Sequence, residues 1–328
     1  MIIHLHFHRR TTGVTRSIEN LMPCLRKHTD AAVLGYGINT QKIKLLPFLK
    51  KIAAGKIKII HTHRVNEIIF ALALRLFGAK FKLFFTRHSE NKPARFTRFL
   101  MKKADVLVSL SQEMSKKLPS GNVIIPHGVN TDIFDISAKK NLNGIPQEKL
   151  ITVIGRIRPA KGQLVAMKAS APVLKNNPDW GIVFVGKCDD NKYAEKILSV
   201  AETYGIARSV HLIPETKDIK SFYDASDIIV IASTSEGFSL VCLEAMACGK
   251  ITVATDKTGI HSQVIKHGEN GFLFPVNDTK QLEILLSDLV SGKVTPDTEK
   301  IRNTVVQDWS IGKAASELYK LYENSLQE

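Results

Sequence analysis

Apolar runs of strand length alternate with amphipathic segments of helix length along the whole chain. A strand that is covered on both faces has a continuous apolar sequence, so this alternation is typical of parallel sheets with helices on both sides. The pattern predicts an α/β fold with two Rossmann-like halves. The predicted strands lie at residues 1–8, 31–37, 58–63, 81–88, 105–111, 122–128, 150–155, 181–186, 210–214, 227–233, 251–256 and 271–275.

Domain boundaries follow from length and composition. The chain has 328 residues, which exceeds the usual size of one domain. Residues 135–149 are polar and have the composition of a linker, and residues 308–326 have the pattern of an amphipathic helix. We therefore expect a first domain at 1–140, a second at 141–308 and a terminal helix at 309–328.

Positive charge is concentrated in the first half. The net charge is +15, but residues 1–130 hold 23 Lys and Arg against 6 Asp and Glu, whereas residues 131–328 hold 23 against 25. Such a field attracts anionic lipid head groups, phosphorylated glycans, nucleic acid or an anionic substrate. A basic surface that only favours solubility is the alternative.

The cysteines and the apolar segments indicate where in the cell the protein is expected. The four cysteines have no metal-ligand spacing, and the N-terminus lacks the pattern of a secretory signal, so a cytoplasmic location is expected. The most apolar stretch, residues 68–85, is interrupted by Arg75, Lys80 and Lys82. Any membrane contact is therefore expected to be peripheral.

The segment "GRIRPAKG", residues 155–162, follows a predicted buried strand. A loop that starts at Gly155 and carries Arg156 and Lys161 before a helix places two cations near a helix N-terminus, which favours a phosphate site. Two solvated surface cations are the alternative. No GxxxxGK[ST] loop is present, and no complete GxGxxG follows a strand.

The segment "EGFSLVCLEAMACG", residues 236–249, follows another predicted buried strand. Glu236 is expected in the loop and Glu244 about one turn inside a helix that begins near Ser239 or Leu240. A carboxylate beside an anion site accepts hydrogen bonds from sugar hydroxyls. A helix-terminal charge for Glu236 and a surface ion pair for Glu244 are the alternatives.

Together these two segments resemble the donor-site motifs of glycosyltransferase family 4, which comprises retaining enzymes of the GT-B fold. The resemblance implies a nucleotide-sugar donor, GDP- or UDP-hexose, as a substrate, and neither a cofactor nor a metal. It implies donor-binding roles for several residues and a terminal helix that returns to the first domain. The donor-binding residues are Gly13, Gly155, Gly237, Phe238, Ser239, Leu240 and Glu244, with Arg156, Lys161, Glu236 and His88 as catalytic residues. Ser239 departs from the family pattern, because many members have glycine there.

The start of the first half resembles, over short segments, the subgroup that adds mannose or a related hexose to the lipopolysaccharide core. Arg9, Arg10 and Arg16 are expected to bind phosphates or carboxylates of an anionic glycan or glycolipid acceptor, since guanidinium groups suit these anions. His88 follows a very apolar strand, where family members often carry a histidine or acid near the donor sugar. Surface charge and a polar strand end are the alternatives.

Residues 90–106 interleave apolar side chains with Arg95, Arg98, Lys102 and Lys103. This pattern predicts a basic amphipathic helix that lies on an anionic membrane, or one that packs its apolar face on the sheet.

The sequence therefore predicts a metal-independent, retaining hexosyltransferase whose first domain binds the acceptor and whose second binds the donor. Two alternatives remain at this stage. One is a GT-B-fold nucleotide-sugar epimerase, and the other is a basic nucleic-acid-binding protein, although no nucleic-acid-binding motif is present. We expect no nucleic-acid partner.

Overall fold

The computed structural model describes residues 1–327, which form two compact units. The first unit comprises residues 1–130 together with the C-terminal residues from 309 onward, and the second comprises residues 131–308. Within residues 1–327, no helix combines the length and the apolar character that crossing a bilayer requires.

The first unit contains a six-stranded sheet in the order β2-β1-β3-β4-β5-β6, with every neighbouring pair parallel. Its strands are β1 (Ile2–Phe7), β2 (Ala31–Tyr36), β3 (Ile59–Thr62), β4 (Lys82–Thr86), β5 (Val106–Ser109) and β6 (Val123–Ile124). Its first five helices are α1 (Gly13–Arg26), α2 (Leu45–Ala53), α3 (Val65–Leu76), α4 (Arg95–Met101) and α5 (Gln112–Lys117).

The second unit contains a six-stranded parallel sheet in the order β12-β11-β10-β7-β8-β9. Its strands are β7 (Lys149–Ile154), β8 (Trp180–Val185), β9 (Val210–Ile213), β10 (Ile228–Ile231), β11 (Ile251–Thr255) and β12 (Phe272–Phe274). Its helices are α6 (Gln163–Asn176), α7 (Asn191–Tyr204), α8 (Ile219–Ala225), α9 (Leu240–Ala247), α10 (His261–Val264), α11 (Thr279–Val290) and α12 (Thr298–Asp308), with short 3₁₀ turns at Pro159–Lys161 and Ala207–Ser209.

Both faces of each sheet are packed, which explains the continuous apolar runs. In β1, Ile3 and Leu5 belong to one buried cluster, while Ile2 belongs to another on the opposite face. All twelve predicted strands are present, so the α/β prediction is confirmed.

The last helix, α13 (Ile311–Gln327), packs within the first unit against α1. Leu318 and Tyr322 are buried in the cluster that also contains Ile18 and Met22. The connection from Val129 to this helix is fixed by two backbone hydrogen bonds: the Val129 amide donates to the Trp309 carbonyl at 2.9 Å, and the Ile311 amide donates to the Val129 carbonyl at 2.8 Å.

The division between the units falls after residue 130 rather than after residue 140. The guanidinium of Arg302 donates to the carbonyls of Phe134 at 2.9 Å and Thr131 at 3.2 Å, and the ring of Phe134 packs edge-on against Tyr223. These contacts attach residues 131–134 to the second unit, although their sequence carries no apolar periodicity.

A buried carboxylate fixes the ends of β1 and β3. Glu67, fully buried on α3, accepts hydrogen bonds from the amides of Phe7 at 3.0 Å, His63 at 2.7 Å and Arg64 at 3.0 Å. Burial raises the pKa of the Glu67 carboxyl, while the same amides act to lower it. This side chain positions the segments that follow both strands, including the loop before α1.

Replacing this carboxylate by an amide tests its role. Glu67→Gln keeps the size of the side chain but turns an NH₂ group toward backbone donors, so we expect the free energy of unfolding of the first unit to fall by about 1–3 kcal/mol. Hydrogen exchange measured by mass spectrometry on the full chain reports each unit separately. Glu113→Gln on the exposed face of α5 is the control, and equal stability of the two variants would contradict the anchoring role.

Candidate functional site

The predicted donor-site motifs of the second unit lie on loops that follow adjacent strands. Residues 155–162 connect β7 to α6, and residues 232–239 connect β10 to α9. Because β7 and β10 are neighbours in the sheet, both loops lie at the same carboxyl edge. In open parallel sheets this edge is where ligands bind.

Gly162 allows the two loops to meet. It has a φ of +68°, and a Cβ at this position would lie 1.9 Å from the carbonyl oxygen of Ala232. Any side chain here would therefore displace the end of β10. The Thr234 amide also donates to the Ala160 carbonyl at 3.0 Å, which joins the loops backbone to backbone.

Lys161 and Glu236 form an ion pair across these loops. The Lys161 Nζ donates to Glu236 Oε1 at 2.6 Å, and the Ser233 hydroxyl donates to the same oxygen at 2.7 Å. Their side chains are 19% and 12% exposed, so both are largely desolvated yet reach the surface. The structure thus brings together the cation predicted for phosphate and the carboxylate predicted for sugar hydroxyls.

Arg156 occupies the same loop as Lys161 but has a different partner. Its Nη1 lies 3.2 Å from Asp189 Oδ2, on the segment that follows β8. The backbones of these segments are also joined, because the Ile157 amide donates to the Lys187 carbonyl at 2.9 Å. Asp189 was not singled out in the sequence, since an acid beyond the neighbouring strand carries no local signal.

Ser239 precedes α9 in a left-handed conformation, with a φ of +88°. This conformation is rare for a residue with a side chain, and it fits the glycine that many family members carry at this position. The helix begins at Leu240, as the sequence predicts. Gly237 and Phe238 complete the turn, and the Ile260 amide donates to the Phe238 carbonyl at 3.1 Å.

His261 holds the Ser239 side chain. Its Nδ1 lies 2.8 Å from the Thr255 carbonyl, which only accepts, so this nitrogen carries the proton. Burial lowers the pKa of His261, so the ring is neutral and its Nε2 accepts. The Ser239 hydroxyl therefore donates to Nε2 at 2.9 Å. His261 was not singled out in the sequence, and this contact was missed.

Glu244 lies inside α9 and is buried, rather than at the surface. Its Oε2 accepts a hydrogen bond from the Tyr223 hydroxyl at 2.7 Å, and Tyr223 is itself fully buried on α8. The surface ion pair considered as an alternative for Glu244 is therefore excluded by its burial. Tyr223 is a second residue that sequence analysis missed.

The predicted residues of the first unit are distributed over several segments. Gly13 begins α1, where the Thr12 side chain caps the helix. Both ring nitrogens of His88 have histidine partners in the same unit, as described below. Its role beside a donor sugar stays a prediction. Arg9 and Arg10 are exposed and Arg16 is half-buried, while Arg95, Lys102 and Lys103 are exposed at α4 and Arg98 is half-buried.

The contact between His261 and Ser239 generates a double-mutant prediction. We expect His261→Phe to lower the free energy of unfolding of the second unit by about 1–2 kcal/mol more in the wild-type background than in the S239G background. Glycine adopts the left-handed conformation without strain, so His261 contributes less to the stability of the S239G protein. Chemical denaturation followed by hydrogen exchange measures all four proteins. Equal costs in both backgrounds would contradict the role assigned to His261.

Comparison with known proteins gives a consistent result at the level of the family. The sequence model described as "Glycosyl transferases group 1" matches residues 135–305, just over half of the chain. The relative "Lipopolysaccharide core biosynthesis mannosyltransferase LpcC" of Rhizobium leguminosarum bv. viciae is 29% identical over 86% of this chain and 83% of its own length. The mannosyltransferase LpsB of Rhizobium meliloti is also 29% identical, over 86% and 84%.

Solved structures agree on the fold. A glycosyltransferase from Rickettsia africae matches with a TM-score of 0.81 at 20% identity, covering 100% of this chain and 98% of its own. The Anabaena protein Alr3699/HepE, crystallised with UDP-glucose, matches with a TM-score of 0.78 at 18% identity, over 98% and 99%. Both likenesses are in the range that establishes the fold alone.

These matches confirm the resemblance predicted from the two loop motifs, and the matched region contains both loops and their ion pair. The chain has the GT-B fold and belongs to the group 1 glycosyltransferases.

Proposed function

We propose that this glycosyltransferase moves a hexose, with mannose as the first candidate, from a nucleotide-sugar donor to a glycan or glycolipid of the lipopolysaccharide core, with retention of anomeric configuration. The Lys161–Glu236 pair carries the proposal, because it combines a phosphate-binding cation and a hydroxyl-binding carboxylate at one carboxyl edge. The names of the two Rhizobium relatives support mannose and the core acceptor. The UDP-glucose complex of a structural neighbour supports a nucleotide-sugar donor.

The chemistry of transfer assigns a role to each charged residue. Departure of the nucleoside diphosphate leaves negative charge on its phosphate, and preorganised cations stabilise that charge most in a desolvated site. Lys161 and Arg156 supply two positive charges there without a metal ion. Each has a carboxylate partner, so binding of a diphosphate exchanges one anionic partner for another.

The carboxylates bind the hydroxyl groups of the donor. Glu236, released from Lys161 by the phosphate, accepts hydrogen bonds from the transferred sugar and orients it. Glu244 accepts hydrogen bonds from the ribose hydroxyls, and the hydrogen bond from the Tyr223 hydroxyl fixes the orientation of the Glu244 carboxylate. The acceptor hydroxyl attacks the face from which the phosphate departs, its proton passes to that phosphate, and the anomeric configuration is retained.

Removing the lysine charge tests the assignment. We expect Lys161→Ala to lower kcat about 10²–10³-fold, in line with the loss of one transition-state donor. The assay measures hexose transfer from GDP-mannose to a lipopolysaccharide core acceptor, with UDP-hexoses in parallel. Lys168→Ala, an exposed lysine on α6, is the matched control.

Near-normal transfer by Lys161→Ala would contradict the role of the pair. Donor conversion in the absence of any acceptor would instead indicate an epimerase. The anomeric configuration of the product, read by nuclear magnetic resonance, tests retention separately from the sugar and the acceptor.

We also propose that the first unit binds the surface of an anionic membrane, where a glycolipid acceptor would be presented. Leu76 and Phe77, at the end of α3, are 88% and 90% exposed, and α3 contacts α4. On α4, Phe96 and Phe99 are exposed among the cations predicted for this role. Exposed apolar side chains surrounded by Lys and Arg suit an interface of acyl chains and anionic head groups.

Vesicle binding tests the membrane surface. Replacing both Leu76 and Phe77 by Ser is expected to weaken binding to phosphatidylglycerol vesicles at least about tenfold, because burial of two large apolar side chains is worth several kcal/mol. Co-sedimentation measures the affinity, and phosphatidylcholine vesicles are expected to bind poorly. Leu198→Ser, an exposed leucine of α7, is the control. Equal binding by both variants would contradict this surface.

A further inference from the structure

Five of the eleven histidines lie together in the first unit, beside the buried phenol of Tyr322 on α13. They come from β1, β3 and the segments that follow β3, β4 and β6, and none belongs to the donor-site loops. We call these imidazoles, with Tyr322 and the Thr86 hydroxyl, the histidine chain. Its imidazoles are those of His4, His61, His63, His88 and His127.

Hydrogen bonds join these groups into one continuous series. The nitrogen–nitrogen distances are 3.0 Å from His4 Nδ1 to His63 Nε2, 3.0 Å from His63 Nδ1 to His88 Nε2, and 3.1 Å from His88 Nδ1 to His127 Nε2. At the other end, the Tyr322 hydroxyl lies 3.1 Å from His4 Nε2 and also contacts His61 Nδ1.

Beyond His61, the histidine chain ends at a hydroxyl group. His61 Nε2 lies 2.6 Å from Thr86 Oγ1. The side chains of Thr86 and His127 line one cavity of about 30 Å³, together with His61, His63 and His88. A cavity of this size is large enough to hold a water molecule.

The imidazoles are neutral. Burial lowers the pKa of all five, to about 3 for His4 and to about 4 for His127. The positive charge of Arg26 also lowers the pKa of His4, and the charges of Arg64 and Arg87 also lower the pKa of His88. Within residues 1–327, no group of three His, Cys, Asp or Glu side chains could hold a metal ion.

Neutrality restricts the proton positions. A neutral imidazole has one N–H and one lone pair. His4, His63 and His88 use both ring nitrogens in the chain, so each donates at one nitrogen and accepts at the other. Two adjacent rings cannot both donate into one hydrogen bond, so every bond from His4 to His127 points the same way.

Tyr322 extends this rule to His61. Its hydroxyl has one proton and two imidazole partners, so it donates to one of them and accepts from the other. If it donates to His4, every ring carries its proton on Nδ1, and Thr86 donates to His61. If it donates to His61, every ring carries its proton on Nε2, and Thr86 accepts.

We propose that the hydrogen bonds of the histidine chain all run in one direction at a time, and that Tyr322 is the positioning residue that couples its two arms. In either direction every group of the chain keeps one proton, so no group inside it carries a charge.

This coupling goes beyond sugar transfer, because it needs only side chains of the first unit. It connects α13, which carries Tyr322, to the segments that follow β4 and β6. A hydrogen-bond direction that is set at one of these places is therefore set at the others as well. A donor or acceptor group placed against Thr86 would thereby select the hydrogen-bonding direction of Tyr322.

Nitrogen tautomers provide the direct test. The full-length protein is labelled with ring-¹⁵N histidine and studied at pH 7.5 by long-range ¹⁵N–¹H correlation, which distinguishes Nδ1–H from Nε2–H rings. We expect the five rings to share one tautomer, or one common ratio if both orders are populated. Different tautomer ratios among the five rings would overturn the proposal.

A matched pair of tyrosine variants tests the coupling. In Tyr322→Phe the link between His61 and His4 is lost, so we expect the His61 ratio to separate from that of the other four rings, which stay alike. Tyr319→Phe, one turn earlier on α13 and bonded to Glu323, leaves all five unchanged. Unchanged ratios in Tyr322→Phe would contradict the coupling role, and if this variant fails to fold the wild-type spectrum alone decides.

Discussion

The donor-site edge of the second unit depends on the close approach of two backbones at Gly162. Only a residue without a Cβ fits there, because the carbonyl of Ala232 occupies the space that a side chain would take. This approach places the loop after β7 against the loop after β10. Lys161 and Glu236, which are 75 residues apart in sequence, then meet at 2.6 Å. Without that backbone contact the site would consist of two separate loops, each with an ordinary surface charge.

Neutralisation within the site explains how so many charges are tolerated near one edge. A largely desolvated charge is costly unless it is paired and hydrogen-bonded. Glu236 has both Lys161 and Ser233 as donors, Arg156 has Asp189, and Glu244 has Tyr223. Each charge therefore has a partner before a ligand arrives. In the proposed complex, a diphosphate takes the place of the carboxylates beside Lys161 and Arg156, and sugar hydroxyls donate to Glu236 in place of Lys161.

The sequence predicts the features that local pattern determines. Continuous apolar runs predict all twelve strands, because a buried parallel strand needs an apolar side chain on both faces. The two loop motifs predict the family, since they combine residue types at a fixed spacing. The sequence did not predict that the units divide after residue 130. It also did not predict the hydrogen bond between Ser239 and His261 or the one between Tyr223 and Glu244. The histidine chain was missed most completely, because His61 and Tyr322 are 261 residues apart and neither has a distinctive neighbour in sequence.

We propose that Lys161 binds the diphosphate of a nucleotide-sugar and that Glu236 binds its hexose. A crystal structure of the complex with a non-hydrolysable GDP-hexose is the decisive test. We expect the Lys161 ammonium to lie within hydrogen-bonding distance of a diphosphate oxygen, and the Glu236 carboxylate to accept hydrogen bonds from hydroxyls of the hexose. A donor bound elsewhere, with the two side chains still paired at 2.6 Å, would contradict it.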